Sequence, residues 1–359
     1  MELHAEDRDH LIVNRLLEAL PEAVIVIGTA DRVIAVNAPA RELFPAVRRD
    51  DLLSRALRAP EVLDAIRRVR VSGTPERVTW LERVPVERYF EIHVAPMIEP
   101  QGDQMMILTL RDLTETRRVE RMRVDFVANA SHELRTPLAS LLGFIETLQG
   151  SARGDTRARE KFLSIMREQA RRMARLVDDL LSLSRIEQNL HVRPQTPIDI
   201  VAVLRHIADT LAPMAADNEV VLKLEVPEKL IVTGDRDELL RVAENLIENA
   251  IKYGASDPRS TSRQVEVILR TDPRQCILIV RDQGPGIPAE HLPRLTERFY
   301  RVDAGQSRAK GGTGLGLAIV KHIVARHRGR LSIESTLNKG TTVSVSLPIP
   351  GCGPIERIR

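Results

Sequence analysis

Apolar positions change their period along the chain, and each change predicts a different kind of element. Between residues 10 and 112, short apolar runs alternate with turn residues, which predicts a small mixed domain with helices near Leu11–Leu20 and at Ala38–Phe44 and with five strands. The predicted strands are Ala23–Gly28, Arg32–Asn37, Val78–Val84, Tyr89–Pro96 and Gln104–Arg111. His93 is a lone strand histidine, interpreted as structural, so no bound cofactor is predicted in this domain.

A helical period replaces the strand pattern from residue 113 to residue 190. Leu113–Gln149 predicts one long helix, the segment from Gly150 a loop, and the residues after it a second helix. The apolar stripes contain Met122, Phe126, Ala130, Leu134, Leu138, Leu141, Ile145 and Leu148, and then Phe162, Ile165, Met173, Leu176, Leu180 and Leu183. An antiparallel hairpin of two helices cannot enclose such stripes, so we expect a dimeric four-helix bundle, with packing on the preceding helix as the alternative.

Strands and helices mix again between residues 195 and 350, after a linker predicted at Pro194–Pro197. Predicted helices are Ile200–Asn218, Arg236–Tyr253 and Leu315–Arg326; predicted strands are Val220–Val226, Leu230–Gly234, Val265–Thr271, Gln275–Asp282, Gly329–Thr336 and Gly340–Leu347. Residues 351–359 form a tail with little hydrophobic signal. The chain is therefore predicted to be a multidomain α+β protein with domains at 10–112, 113–190 and 195–350.

Composition narrows the choice of partners and compartment. The 359 residues carry 53 basic and 50 acidic side chains, a net charge of +3, so no strong nucleic-acid field is expected. Cys276 and Cys352 are the only cysteines and form no Cys-x-x-Cys pair, which argues against a disulfide framework and fits a reducing compartment. The apolar run Ala23–Gly28 is far shorter than the roughly 20 residues of a membrane span. We expect a cytoplasmic chain without direct membrane insertion, or the cytoplasmic part of a membrane-anchored protein.

His132 lies in the first long helix, two residues before Leu134 of its apolar stripe. Two residues correspond to about 200° of helical rotation, so the imidazole points away from the core. Near neutral pH it is a competent nucleophile, the carboxylate of Glu133 can take its proton, and the Thr136 hydroxyl lies one turn on. Pro137 should soften the helix beside it. The alternative is a solvated surface histidine.

Amide side chains mark the helix predicted at Arg236–Tyr253, where Asn245, Asn249, Lys252 and Tyr253 follow at i, i+4, i+7 and i+8. Amide oxygens suit Mg²⁺ bound to a triphosphate because they complete its octahedral shell without adding repulsive charge. Lys252 adds a positive point charge. The alternative is that these residues form an ordinary polar surface of the helix without a binding role.

Glycines and charged residues recur from the end of the predicted strand Gln275–Asp282 onward. Asp282 at the end of that strand can accept a hydrogen bond from an adenine amino group, and Gly284 and Gly286 let backbone lie against the base, although a structural turn is equally compatible. Arg301 can neutralise charge on a transferring phosphoryl group. The glycine segment, Gly311–Gly316, opens a helix whose free N–H groups can hold phosphates; it lacks the Gly-Lys-Ser/Thr ending of a Walker A loop.

Four sequence segments resemble motifs of the two-component sensor histidine kinases. Their residues are most similar to those of the phosphate-regulon sensor kinases. Ser131–Leu138 (SHELRTPL) resembles the phosphoacceptor box and Glu244–Tyr253 (ENLIENAIKY) the N box. Asp282–Pro288 resembles the G1 box and Gly311–Ile319 the G2 box. Residues 10–112 resemble a PAS sensor domain. Two departures are Gly254, where Ser or Thr is usual, and Leu295–Thr296, where Ile-Phe is more frequent.

The resemblance implies a PAS domain, a dimerisation and phosphoacceptor hairpin, and an α/β-sandwich ATPase domain of the GHKL type. It implies ATP-dependent autophosphorylation of His132, transfer to an aspartate of a cognate response regulator, and a homodimer; Thr136 would orient water for dephosphorylation of the regulator. Mg²⁺ would be held by Asn249. The implied catalytic residues are His132, Glu133, Thr136 and Arg301, and the implied nucleotide-binding residues are Asn245, Asn249, Lys252, Tyr253, Asp282, Gly284, Gly286, Lys310, Gly312, Thr313, Gly314, Leu315, Gly316 and Thr341.

Two alternatives belong to other functional classes. The first is a sensory dimerisation scaffold with weak or no catalysis, against which the intact set of motifs argues. The second is a protein serine kinase or a chaperone-like ATPase of the same superfamily, which would lack the His132 box followed by a hairpin.

Overall fold

The computed structural model describes residues 15–83, 86–98, 104–150, 155–255, 257, 260, 262–303, 305 and 310–349. The described residues up to Val127 form one compact unit and those from Ala128 form a second. Within these ranges, no helix combines the length and the apolar character that a membrane crossing requires.

The first unit is built on a five-stranded antiparallel sheet in the order β2-β1-β5-β4-β3. Its strands are β1 Ala23–Ile27, β2 Val33–Val36, β3 Glu76–Glu82, β4 Arg88–Ile98 and β5 Gln104–Asp112. Its helices are α1 Ala38–Leu43, α2 Leu53–Ala56 and α3 Pro60–Ser72. Phe44, Trp80 and Phe90 pack against one another with ring centroids 5.1–5.9 Å apart, which places an aromatic cluster in the core between α1 and the sheet.

Asn37 organises the start of α1 although it is a polar residue with only 1% of its surface exposed. Its Oδ1 accepts hydrogen bonds from Val24 N at 2.9 Å and Ala40 N at 3.1 Å. Its Nδ2 donates to the carbonyls of Leu17 and Glu22. Because a buried amide costs free energy unless it is paired, this satisfied network makes Asn37 both a helix cap and a core element.

The strand predictions for this unit are confirmed to within a few residues. Residues 15–19 are helical as predicted, and residues 11–14 lie outside the described ranges. The helices α2 and α3 were not predicted. The second of them carries Val62, Ala65, Ile66 and Val69 on its buried face.

Two long helices follow, α4 Thr114–Gln149 and α5 Thr156–Gln188. The rings of Phe144 and Phe162 lie 5.2 Å apart near one end, and Arg172 contacts Glu133 further along. These pairs place later residues of α5 beside earlier residues of α4, so the predicted antiparallel hairpin is confirmed. Pro137 lies inside α4 without ending it. Of the predicted connecting loop, residues 151–154 lie outside the described ranges.

In its described residues, the remainder of the second unit combines a five-stranded sheet with three α-helices. The sheet order is β11-β12-β10-β9-β7, with β7 parallel to β9 and the other pairs antiparallel. Its strands are β7 Val221–Glu225, β9 Ser262–Thr271, β10 Gln275–Gln283, β11 Arg330–Thr336 and β12 Gly340–Pro348, and a separate pair is β6 Thr196–Asp199 with β8 Ile231–Gly234. The helices are α6 Ile200–Asp217, α7 Arg236–Asn249 and α8 Gly316–Arg326.

The structure corrects two predictions here. The linker predicted at Pro194–Pro197 is wrong for its second half, because residues from Thr196 pair with β8 as a short strand. The α-helix predicted to reach Tyr253 ends at Asn249, and a π-helix continues it over Ala250–Ala255. The predicted tail, residues 351–359, lies outside the described residues.

Candidate active site

His132 is exposed on α4, as the helical geometry predicts. Thr136, one turn later, donates its hydroxyl to the His132 carbonyl oxygen at 3.3 Å and is also exposed. This back-bond is the usual partner of a threonine inside a helix, and it keeps the Thr136 oxygen on the same face as the imidazole. Both groups are therefore accessible to a domain approaching the hairpin.

Glu133 carries the contact between this helix and the sheet-containing part of the unit. Its Oε2 lies 3.0 Å from Arg301 Nη2, its Oε1 lies 3.4 Å from Arg301 Nη1, and Arg172 of α5 donates to Oε2 at 3.0 Å. The Arg301 side chain is only 6% exposed, and its Nε is buried without a hydrogen-bond partner. The structure thus places the guanidinium of Arg301, whose Nε donor is still unpaired, against the residue that directly follows His132.

The amide stripe of α7 lies against the glycine segment. Asn245 donates its Nδ2 to Arg241 O at 2.8 Å, and its Oδ1 occupies the space that a Cβ on Gly316 would need. Asn249 lies one turn further on and is half-buried. The amide oxygen of Asn245 therefore touches the start of α8, which is the place where a phosphate held by helix N–H groups would lie.

The π-helix changes the second half of the predicted stripe. Lys252 pairs with Glu248 at 2.5 Å, and the Lys310 ammonium donates to the Lys252 carbonyl oxygen. Lys310 also lies 5.6 Å from the centre of the Tyr253 ring, and burial lowers its pKa. The π-turn breaks the i, i+7, i+8 spacing, so Lys252 and Tyr253 do not simply extend the face of Asn245.

Asp282 is the second-last residue of β10 and is buried, with 8% of its surface exposed. Its Oδ1 accepts a hydrogen bond from Gly284 N at 2.9 Å, and the Thr341 backbone N–H of the neighbouring strand also bonds it. Burial raises the pKa of this carboxyl in spite of these bonds. Gly286 has φ +69°, and a Cβ there would overlap the Thr336 carbonyl oxygen, so this turn requires glycine.

The glycine segment reaches α8 through two left-handed residues, Gly311 with φ +72° and Gly314 with φ +75°. Gly312 lies between them, and Leu315, which is buried, directly precedes the helix. The Leu315 N–H bonds the Thr313 hydroxyl at 3.3 Å. α8 has no side-chain cap at its start, so its first N–H groups are available to an anion.

Asp179 of α5 is a site residue that the sequence prediction missed. Its Oδ2 accepts a hydrogen bond from Thr313 Oγ1 at 2.7 Å, and its Oδ1 lies 2.5 Å from Arg241 Nη2. Arg175, one turn earlier on α5, lies beside Gly311. Asp179 occupies a position that helical period alone assigns to a polar helix face, and no local signal relates it to a segment 134 residues away.

The structure brings the predicted residues together in two groups. The first contains His132, Glu133, Thr136 and Arg301. The second contains the residues of α7, the end of β10, the start of β12 and the glycine segment: Asn245, Asn249, Lys252, Tyr253, Asp282, Gly284, Gly286, Lys310, Gly312, Thr313, Gly314, Leu315, Gly316 and Thr341. Across the described part of the chain, no group of three or more His, Cys, Asp or Glu side chains suits a metal ion. A cation in the second group would depend on amide and phosphate oxygens.

Three family models match the chain. The PAS fold matches residues 17–118, the His Kinase A (phospho-acceptor) domain residues 122–189, and the histidine kinase-, DNA gyrase B- and HSP90-like ATPase residues 234–351. The third match implies that the chain binds ATP.

Known relatives agree with these matches. The phosphate regulon sensor protein PhoR of Pseudomonas aeruginosa is 39% identical over 243 residues, which are 67% of this chain and 53% of the relative. The sensor protein kinase WalK of Staphylococcus aureus is 40% identical over 253 residues, which are 70% of this chain and 59% of the relative. The solved structure of the mycobacterial sensor histidine kinase MprB is 31% identical and covers 43% of this chain and 97% of that chain, with a TM-score of 0.37.

The chain spans between 53% and 59% of the length of these two curated relatives. The sensor, phosphoacceptor and ATPase matches follow one another in a single chain, and the curated relatives are sensor kinases. The chain belongs to the two-component sensor histidine kinases.

Proposed function

We propose that this chain phosphorylates itself on His132 with the γ-phosphate of ATP and passes the phosphoryl group to an aspartate of a response regulator. The observation that carries the proposal is the pair between Glu133 and Arg301. It joins the residue beside the exposed imidazole to a segment that lies between the G1-like and G2-like strings. The part of the chain that carries the nucleotide-site motifs, residues 195–350, therefore contacts the helix that bears His132.

The imidazole of His132 attacks the γ-phosphorus, its N–P bond forms as the bond to the β-phosphate oxygen breaks, and ADP leaves. Arg301, whose guanidinium pairs with Glu133 in the structure, would redirect a hydrogen bond to the phosphoryl oxygens, where negative charge builds up. Glu133, released from Arg301, would then take the proton of the attacking His132 ring. In the described conformation two arginines hold that carboxylate, so proton removal requires this exchange of partners.

In the nucleotide site, the Asp282 carboxylate would accept a hydrogen bond from the adenine amino group. The glycine segment and Thr341 would hold the phosphates. The deep position of Asp282 and the uncapped start of α8 support these roles. Lys310 and Lys252, which are joined through the Lys252 carbonyl, would add positive charge at the edge of the site.

Asn249, with Asn245 beside it, would hold Mg²⁺. The donor set fits a cation that arrives with a triphosphate, because neutral amides provide hard oxygens without the charge repulsion that a carboxylate cluster would add. When bound, Mg²⁺ would neutralise phosphate charge.

A homodimer is supported by the apolar surface that the hairpin leaves uncovered. Several large apolar side chains of α4 and α5 are between 37% and 54% exposed: Leu138, Leu142, Ile145, Leu163, Val177 and Leu181. Such a stripe is normally buried, and a second hairpin packed into a four-helix bundle would cover it.

The regulator would dock on the same hairpin, and Thr136 would orient a water molecule for its dephosphorylation. Relatives named for phosphate-regulon sensing and for another sensor kinase are 39% and 40% identical, so the identity favours neither pathway. A phosphate-response regulator is the first partner to test in phosphotransfer assays.

Incubation of the chain with γ-labelled ATP tests the central step. The wild type should gain label that is acid-labile and stable to base, and His132→Gln should gain none. His206, an exposed histidine on α6, offers the matched control His206→Gln, which should label like the wild type. Undiminished labelling of His132→Gln would contradict the assignment.

The same assay separates the other two functional classes. A scaffold without catalysis would incorporate no label into any variant. A serine kinase of the same superfamily would give acid-stable, base-labile phosphate that does not depend on His132.

A further inference from the structure

Gly254 lies at the end of the π-helix in contact with Asp282. A Cβ added to Gly254 would lie 2.5 Å from Asp282 Oδ1 and 2.6 Å from Asp282 Cβ, and closer still to Cγ. On the other side, a Cβ added to Gly284 would lie 2.5 Å from the Gly254 Cα. The backbones of the two glycines are therefore packed together, and the Asp282 side chain lies directly over Gly254.

Glycine is required at position 254 because a side chain would not fit there, and not because the backbone conformation demands it. Gly254 is absent from the residues with positive φ, so its conformation is open to any L-residue. A change of Asp282 rotamer would not make room for a side chain either, because the Asp282 Cβ is itself too close. A residue larger than glycine would have to displace β10, the π-helix or both.

Asp282 is held from its other side as well. Its carboxylate bonds the N–H groups of Gly284 and Thr341, and it is buried. The backbone bonds and the bare Cα of Gly254 together define one position for the carboxylate. A side chain at position 254 would push the Asp282 carboxylate aside and so move its acceptor oxygens relative to the rest of the nucleotide site.

We propose that Gly254 is a positioning residue that sets selectivity for an adenine base through Asp282. This inference rests on the proposed function, in which the Asp282 carboxylate accepts a hydrogen from the exocyclic amino group. A base with a carbonyl oxygen at the same place, as in inosine triphosphate, presents an acceptor to an acceptor. The sequence departs here from the Ser or Thr usual in the family, and in this chain the Cβ of either residue would lie within 2.6 Å of Asp282.

The test measures the equilibrium affinity of the full chain for ATP and for inosine triphosphate. The wild type should prefer ATP by at least about tenfold, the value of one hydrogen bond to a charged group. Gly254→Ser and Gly254→Ala should bring the two affinities to within about threefold by weakening ATP, with little change for inosine triphosphate. Gly143, whose added Cβ would meet no atom within 4 Å, provides the control Gly143→Ser, which should keep the wild-type ratio.

Asp282→Ala separates failure of this inference from failure of the proposed function. If Asp282→Ala keeps the wild-type ratio, the assignment of the base site is wrong. If Asp282→Ala loses selectivity while both Gly254 variants keep it, only the role of Gly254 is overturned. Equal weakening of both nucleotides in the Gly254 variants would also overturn it, because general damage to the pocket does not discriminate between bases.

A double variant covers the case in which Gly254→Ser folds poorly. Replacing Asp282 with glycine removes the Cβ, Cγ and carboxylate that the serine would meet, so Gly254→Ser combined with Asp282→Gly should melt closer to Asp282→Gly than additivity predicts. Additive losses of melting temperature would show that the two positions do not interact as proposed.

Discussion

Asp179→Ala should raise the affinity of the chain for ATP. The Asp179 carboxylate bonds the Thr313 hydroxyl at 2.7 Å and lies 2.5 Å from Arg241, with 18% of its side chain exposed. Thr313 belongs to the glycine segment that would hold phosphates, so a triphosphate has to displace a negative group of this chain before it can bind. The variant removes that competitor together with its repulsion of the phosphate.

The size of the effect follows from the bond that binding must break. A hydrogen bond to a charged group contributes about 1.5–3 kcal/mol net. Its removal should tighten ATP binding by about tenfold to a hundredfold, since each 1.4 kcal/mol is roughly a factor of ten. Solvent screening lowers this value little, because only 18% of the Asp179 side chain is exposed.

Equilibrium titration with a fluorescent ATP analogue measures this change. The control is Asp178→Ala, which removes an exposed carboxylate from the adjacent position of the same helix. Hydrogen exchange of residues 311–315 should also accelerate in Asp179→Ala without nucleotide, because the segment loses its anchor on α5. An affinity for ATP equal to or weaker than that of Asp178→Ala would refute the reasoning.

Three further predictions address the cores and the transfer step. Burial lowers the pKa of His327 below 6.5, and its Nε2 accepts the Asp235 N–H at 3.0 Å, so the ring is neutral when folded. Unfolding free energy should therefore fall as pH drops below about 6.5, and urea titrations at pH 7.5 and 5.5 should show a smaller loss in His327→Gln. Asn37→Ala should destabilise the first unit by about 3 kcal/mol, because it orphans several buried backbone groups, with the fluorescence of Trp80, the single tryptophan, as the readout; an unchanged urea midpoint would contradict this. Arg301→Ala should slow autophosphorylation by about a hundredfold while ATP affinity changes less than about threefold; a loss confined to affinity would assign Arg301 to binding.

Local pattern predicted most strands of both sheets because alternation of apolar residues reflects burial directly. The same reasoning could have found α3, whose buried residues Val62, Ala65, Ile66 and Val69 follow helical spacing. It could not have found β6, since Pro197 disfavours a strand and only pairing with β8 makes those residues extended. The π-helix after Asn249 contacts β10 where Gly254 lies against Asp282, and the sequence has no periodic signal for that contact.

The candidate site divides in the same way. Exposure of His132, the amide stripe of α7 and the glycine segment before α8 are local properties and were predictable. The roles assigned to these residues stay predictions until the assays above are done. The partner of Arg301 was not predictable, because Glu133 lies 168 residues earlier and no repeat or spacing connects the two.

The sequence by itself determined most of the helices and strands, which histidine faces solvent and which family the motifs resemble, because these depend on side chains close together along the chain. Only the tertiary structure decided that Glu133 is held by Arg301, that Asp179 bonds the glycine segment, and that Gly254 makes room for Asp282. Such contacts depend on how separate elements pack, and packing is set by the summed burial of many residues, which no single motif records.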